Sequence, residues 1–293
     1  MAIADDPMVS LAVDALVMVP IVGCQRSGTT LVAEILGSHP HSLLIEEGPP
    51  ATRWYRAALG SASSAHVAAK FRLCCRLARK DYREPANRVG WSGSVRGGIS
   101  HVVLKAPNLT YSSEAIGSVW PSAPIIYLQR DIRAVVASAL SLSRVPIADN
   151  QLRLIRDSDD MTERLAEELE VLERLGTDVA PHLKMALVAK MKMSLADQFR
   201  QHGLQVLQVK YESLVAEPEI EIPRMLSHVG LQPADECFRH ETVLVGSGPG
   251  DTVRERSIDT RSVQSWETKL TPRQADQIWD LVGDFMESMG YSK

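Results

Sequence analysis

Gly23-Cys24-Gln25-Arg26-Ser27-Gly28-Thr29-Thr30 stands between a continuous apolar run, Ala15 to Val22, and a segment in which Leu31, Ile35 and Leu36 recur at helical spacing. An apolar run closed by glycine suits a strand buried on both faces. The following segment reads as a helix ended by Gly37 to Pro40. Strand, glycine-bounded loop and helix together make an anion cradle: backbone N–H groups of the loop and helix start point at the ligand, and the helix dipole adds to them. The interval from Gly23 to Gly28 matches the first part of the nucleotide-loop pattern G-x-x-x-x-G-K-[ST]. The lysine of that pattern is absent, because Thr29 stands in its place. The cation comes earlier, as Arg26, and two hydroxyls, Thr29 and Thr30, open the helix. The loop therefore suits a smaller anion than a triphosphate. The plain alternative is a Gly-Thr turn that only caps a helix; the strand before it and the helix after it weigh against that.

Outward from this loop, short strands are expected over Ser42 to Ile45, His101 to Leu104 (ending at Lys105), Pro124 to Leu128 and Gln205 to Val209. A helix is expected over Ala65 to Lys80, followed by a Gly/Ser-rich loop from Val89 to Ser100. Arg130 follows the strand Pro124 to Leu128 at once, and a helix after it runs to about Ser143. Two longer helices follow. In one, Leu165, Leu169, Leu172 and Leu175 line a face and Gly176 caps the end. In the other, Pro181 suits the first turn, and Leu183, Leu187, Met191, Leu195 and Phe199 share a face. A Gly-rich basic loop spans Gly246 to Arg261, and a last amphipathic helix runs from about Pro272 to Met289. Strands alternating with helices predict an α/β fold, a central parallel sheet of about five strands with helices on both faces. With no strong linker, residues 1–293 read as one domain with a loose lead-in over 1–12 and extra helices over 150–202.

Hydrophobic residues make up 45% of the 293, enough for a sizeable core. Lys plus Arg number 32 against 36 Asp plus Glu, a net charge of -4. That balance argues against non-specific nucleic-acid binding, which needs a basic surplus. Cys24, Cys74, Cys75 and Cys237 form no C-x-x-C pair and no metal-ligand spacing, so they read as reduced thiols. The apolar run at 15–22 is too short to span a membrane, and the acidic Asp5, Asp6 and Asp14 are unlike a secretion signal. The expectation is a soluble, cytoplasmic protein.

Gly23 to Leu31 resembles the 5′-phosphosulfate loop of sulfotransferases that use 3′-phosphoadenosine-5′-phosphosulfate (PAPS). Arg130-Asp131-Ile132-Arg133-Ala134-Val135-Val136-Ala137-Ser138 resembles that family's 3′-phosphate motif. The two lie about a hundred residues apart, each directly after an apolar run. Weaker echoes occur at Lys210-Tyr211-Glu212 and over Arg261 to Trp266. The resemblance is nearest to branches with Arg in the loop, such as tyrosylprotein sulfotransferases and many bacterial relatives. It implies a P-loop-like sulfotransferase fold, PAPS as donor, PAP as product and no metal.

Sulfuryl transfer needs a base for the acceptor hydroxyl, charge stabilisation of the leaving phosphate, and in-line geometry. The resemblance places Arg26, Ser27, Gly28, Thr29 and Thr30 around the phosphosulfate, with the Arg26 guanidinium bridging its oxygens. Lys105, at a strand end where open α/β sheets hold ligands, falls near the leaving group. With no gap in the comparison, the catalytic glutamate of the tyrosylprotein branch falls on Glu47, with Glu46 in reserve. Arg130 and Ser138 carry over as ligands of the 3′-phosphate, Arg133 as a supporting charge, and Tyr211 to the adenosine side. Of Arg254, Arg256 and Arg261 in the late basic loop, the pattern does not say which reaches the 3′-phosphate; a solvated loop is the plain alternative. Trp54, Tyr55 and Trp91 are acceptor-pocket or packing residues. His39, in a Ser-His-Pro helix end, reads as structural.

Two other functions compete. A phosphotransferase or NTPase lacks its loop lysine here and a clear metal-binding Asp after an apolar strand. A nucleotide-binding protein without catalysis is disfavoured by the joint presence of Arg26, Glu47 and Lys105. The acceptor's identity is not written in these motifs; a small metabolite or natural product with a hydroxyl is favoured, and the helical stretch 150–202 suits an acceptor wall or a homodimer interface.

Overall fold

A computed structural model describes residues 16–46, 100–142, 145–244, 247–248 and 252–293. The lead-in, the helix expected over 65–80, the loop from 89 to 99, and Glu47, Trp54, Tyr55, Cys74, Cys75 and Trp91 lie outside the described residues.

The apolar runs become strands β1 (Val17–Gly23), β2 (Ser42–Ile45), β3 (His101–Lys105), β4 (Pro124–Gln129) and β5 (Gln205–Lys210). They form one sheet in the order β2-β3-β1-β4-β5, and every pairing is parallel. Parallel strands need crossovers and are covered on both faces, which explains why their sequences are continuously apolar. Side chains alternate along β1: Val19 and Ile21 join one apolar cluster, Met18 and Val22 the cluster on the other face.

The helices follow in chain order. Helix α1 (Thr29–Gly37) leaves the loop after β1. A short 3-10 helix (Pro107–Tyr111) and α2 (Ser113–Val119) join β3 to β4. After β4 come α3 (Ile132–Leu140), α4 (Ile147–Arg156), α5 (Asp159–Arg164), α6 (Ala166–Leu175), α7 (Pro181–Ser194) and α8 (Ala196–Gln201). After β5 come α9 (Tyr211–Ala216), α10 (Pro218–Val229), α11 (Asp235–Phe238), α12 (His240–Val243), α13 (Trp266–Lys269) and α14 (Pro272–Ser288). A two-stranded antiparallel ribbon, 247–248 with 252–253, lies within the late basic loop.

Several expectations are corrected. The helix after Arg130 stops at Leu140 rather than near Ser143. The leucine face of α6 ends early: Leu165, Leu169 and Leu172 are buried, but Leu175 is 40% exposed beside Gly176, whose φ of 90° ends the helix. The second long helix is two, because Leu195 takes ψ 2° and breaks the run between Ser194 and Ala196. Phe199 stays buried beyond the break. Helix α10 escapes a proline-based reading, since Pro223 lies inside it.

Candidate active site

Register aligns the carboxyl ends of the strands, where open α/β sheets bind ligands. Ile21 lies beside Lys105, Ile45 beside Leu104, Gly23 beside Leu128, and Gln129 beside Lys210. One step further along each strand come Glu46 next to Lys105 on one side of β1, and Arg130 next to Tyr211 on the other. The loop that leaves β1 sits between these two pairs.

The loop's shape rests on close backbone approach. Gly23 has φ 130°, and a Cβ there would lie 2.7 Å from the Leu128 carbonyl oxygen. Gly28, at φ 101°, precedes α1, and a Cβ there would lie 2.4 Å from Tyr211 Cδ2. Arg26 holds φ 70°, a left-handed conformation uncommon outside glycine. Thr110, fully buried on the 3-10 helix, ties the loop entrance: its hydroxyl accepts from Gly23 N at 2.9 Å and donates to Gly23 O at 3.0 Å. Ser27 turns inward, its hydroxyl donating to Cys24 O at 2.6 Å and its N–H to the same oxygen at 3.2 Å. Both donors of Ser27 thus close the loop on itself. Thr29 is buried and Thr30 half-buried in the first turn of α1. Burial pushes the Cys24 thiol up to about 11, so it is a neutral core group.

On the β4 side, Arg130 is 6% exposed. Its Nη1 donates to Arg26 O at 3.0 Å and its Nη2 to Ser262 O at 2.6 Å. Its guanidinium lies 4.1 Å above the Tyr211 ring, whose hydroxyl bonds that of Ser262. Burial lowers the Arg130 pKa, and Tyr211 and Glu212 oppose that shift. The Nε of Arg130 is buried with no hydrogen-bond partner among the described residues. Arg26 Nε donates to Ser138 Oγ at 2.9 Å, which brings the two expected phosphate regions into direct contact. Asp131 caps α3 through Arg133 N at 2.8 Å and pairs with the Arg133 guanidinium at 2.8 Å. Arg133 also lies 4.2 Å from the Trp266 ring and donates to Ser292 O. It is a framework residue that ties the C-terminal segment to α3.

On the β2–β3 side, four charged groups lie together: Glu34, Lys105 and Arg254 are buried, and Glu46 is half-buried. Arg254 pairs with Glu46 and lies 3.4 Å from Glu34 Oε1. Burial, then the neighbouring Glu46 charge, raises the Glu34 carboxyl to about 7, against the opposing pull of Arg254 and Lys105. The structure therefore places Arg254 among acidic residues at the edge of the site. Arg256 and Arg261 both bind Asp259 on the surface and hold its carboxyl well below the usual range. The three arginines of the late basic loop thus divide into one buried residue and two exposed ones that share a carboxylate.

A family model for sulfotransferases matches residues 19–236. The chain belongs to the sulfotransferase family. It is 30% identical over 292 residues to the nodulation protein NoeE of Sinorhizobium fredii, covering 93% of this chain. The chain spans 65% of that relative's length. Its fold is similar to that of a sulfotransferase domain from the curacin biosynthetic pathway, with 14% identity, a TM-score of 0.51, and coverage of 92% of this chain and 97% of that one.

Four residues that surround the loop escaped the sequence: Thr110, Ser262, Glu34 and Lys192, the last a buried lysine that donates to Gln25 Oε1 at 3.0 Å. Glu34 had a local signal, a lone carboxylate among apolar residues of a buried helix (Val32, Ala33, Ile35, Leu36). The others depend on contacts across 87, 132 and 167 residues of chain. Among the described residues, no group of three or more His, Cys, Asp or Glu is placed to hold a metal, and no helix is long and apolar enough to cross a membrane.

Proposed function

We propose that this enzyme moves a sulfuryl group from PAPS to an acceptor hydroxyl by in-line transfer, releasing PAP. The observation that carries this reading is Arg130: a buried guanidinium with one buried N–H left without a hydrogen-bond partner among the described residues, one bond away from the Arg26–Ser138 contact. Burying a charge is costly unless an anion meets it. A 3′-phosphate would supply that anion, take up the Arg130 Nε and Ser138 donors, and release Arg26 toward the phosphosulfate. The glycines at 23 and 28 let the loop pack closely on Leu128 and Tyr211 as it turns into the start of α1, where an anion would meet the helix N–H groups.

The bound donor supplies the activated sulfuryl group. Arg26, with N–H groups at the start of α1, stabilises charge on the leaving phosphate. Lys105, at the end of β3, adds a second cation there. Glu46 is committed to Arg254, which supports Glu47 as the base that takes the acceptor proton. Tyr211 supports the donor from beneath, as the platform under Arg130. We favour a small hydroxylated molecule as acceptor and a single working domain in the cytoplasm.

Calorimetric titration with PAP, ADP and ATP in EDTA, and with ATP plus magnesium in its absence, tests the reading, repeated for PAP with Arg130→Ala. Tight PAP binding, weak ADP binding and a loss of about a hundredfold in the variant are expected, the size of a buried charge-assisted contact. PAP binding no better than ADP, or ATP with magnesium binding best, would move the reading to phosphoryl transfer.

A further inference from the structure

Lys192 projects from α7, in the helical stretch between β4 and β5, and is fully buried. The other buried residues around it on the helix are mostly apolar (Leu187, Val188, Ala189, Met191, Met193). Its ammonium donates to three oxygens: Gln25 Oε1 at 3.0 Å, Gln151 Oε1 at 3.0 Å and Pro107 O at 2.7 Å. Those are as many acceptors as an ammonium has N–H groups. The acceptors belong to three separate parts of the chain. Gln25 is in the phosphate loop, Pro107 lies two residues after Lys105, and Gln151 is on α4. Gln25 is gripped at both ends, since its Nε2 donates to Asn108 Oδ1 at 2.8 Å. Gln151 Nε2 reaches the same oxygen at 3.1 Å, closing a ring of polar side chains beneath the loop.

The residue after Gln25 is Arg26, held at φ 70°. A non-glycine residue keeps such a conformation only where its surroundings over-determine it. In that conformation the Arg26 carbonyl accepts from Arg130 and its side chain reaches Ser138. A methionine at 192 would fill a similar volume but hold neither Gln25 nor the segment after Lys105.

We propose that Lys192 is a positioning residue of the donor site, which through Gln25 keeps Arg26 in its left-handed turn and sets the loop against the end of β3. The proposal rests on reading this loop as the PAPS site. Lys192 touches no reacting atom; it acts by preorganisation, so its loss should appear in donor affinity.

The test is PAP affinity by calorimetry for wild type, Lys192→Met, Gln25→Leu and the double variant, with melting temperatures beside them. Each single variant should weaken PAP by about tenfold. The double variant should be no weaker than the worse single one, because both act along one path. Tyr111→Phe removes the 3.2 Å bond to Gln151 in the same network without touching the loop. It should lower the melting temperature and leave PAP affinity within about twofold, which separates loss of stability from loss of loop positioning. Normal PAP affinity in folded Lys192→Met, or fully additive losses, would overturn the proposal. Should Lys192→Met not fold, half-buried Gln25→Leu decides alone, and wild-type affinity there overturns it. Failure of the wild-type protein to bind PAP sinks the donor reading itself, whereas failure confined to the variants sinks only the role of Lys192.

Discussion

Gly28→Ala probes how the loop and the β5 end are fitted together. The new methyl would lie 2.4 Å from Tyr211 Cδ2 and 3.0 Å from Cε2. Ordinary carbon contacts are near ~3.5 Å, so the ring must move by about 1 Å. Tyr211 has little room to do so: it is 8% exposed, carries Arg130 at 4.1 Å on its face and bonds Ser262 through its hydroxyl. Overpacking of this kind costs about 1–3 kcal/mol. The backbone adds about 1 kcal/mol, because φ 101° is unfavourable for any residue with a Cβ. The two together predict a loss of about 2–4 kcal/mol. In a Tyr211→Ala background only the backbone part should remain, about 1 kcal/mol. Urea unfolding of the four proteins measures both costs and their difference. An equal cost in the two backgrounds would show that Tyr211 is not packed on the loop. A cost below about 0.5 kcal/mol in the wild-type background would show that the left-handed turn is wrong.

Other expectations follow from the charged groups. The Glu34 carboxyl is raised from 4.5 to about 7, so the folded state holds a proton that the unfolded state releases. Stability should therefore fall as pH rises from about 4.5 to 7, and Glu34→Gln should flatten that slope in urea midpoints taken across the range. Lys105→Met should lower kcat by about 10²–10³ with a smaller change in PAP affinity, as for a group that meets charge on the leaving oxygen; steady-state and binding assays separate the two. Asp131→Ala should cost about 3–5 kcal/mol, since it uncaps α3 and strands the buried Arg133; chemical denaturation measures it. Arg261→Ala, at a 74% exposed side chain, should leave stability within about 0.5 kcal/mol.

Much of the fold was legible because strand and helix signals are local. Val17 to Gly23 is continuously apolar, and its burial on both faces follows from that alone. The loop after it, with its glycines and Arg26, and the run from Arg130 to Ser138 are contiguous segments, so they could be singled out without knowing their neighbours. Contiguity also limited the reading of the late basic loop. Arg254, Arg256 and Arg261 look equivalent in the chain, yet one is buried between Glu34 and Glu46 while the other two are exposed and share Asp259. The leucine face through Leu175 and the single long helix through Phe199 were extrapolations of a period, ended by Gly176 and Leu195.

Sequence by itself determined the strands and the glycine-bounded loop between the first strand and its helix, since apolar runs and glycine spacing are written in neighbouring residues. Tertiary structure alone decided the strand order, the partner of Arg254, the clamp of Thr110 on Gly23 and the placement of Lys192 under Gln25. Those depend on which surfaces the parallel crossovers bring together. A buried polar group takes whatever partner packing sets within about 3 Å, and no local pattern encodes that distance.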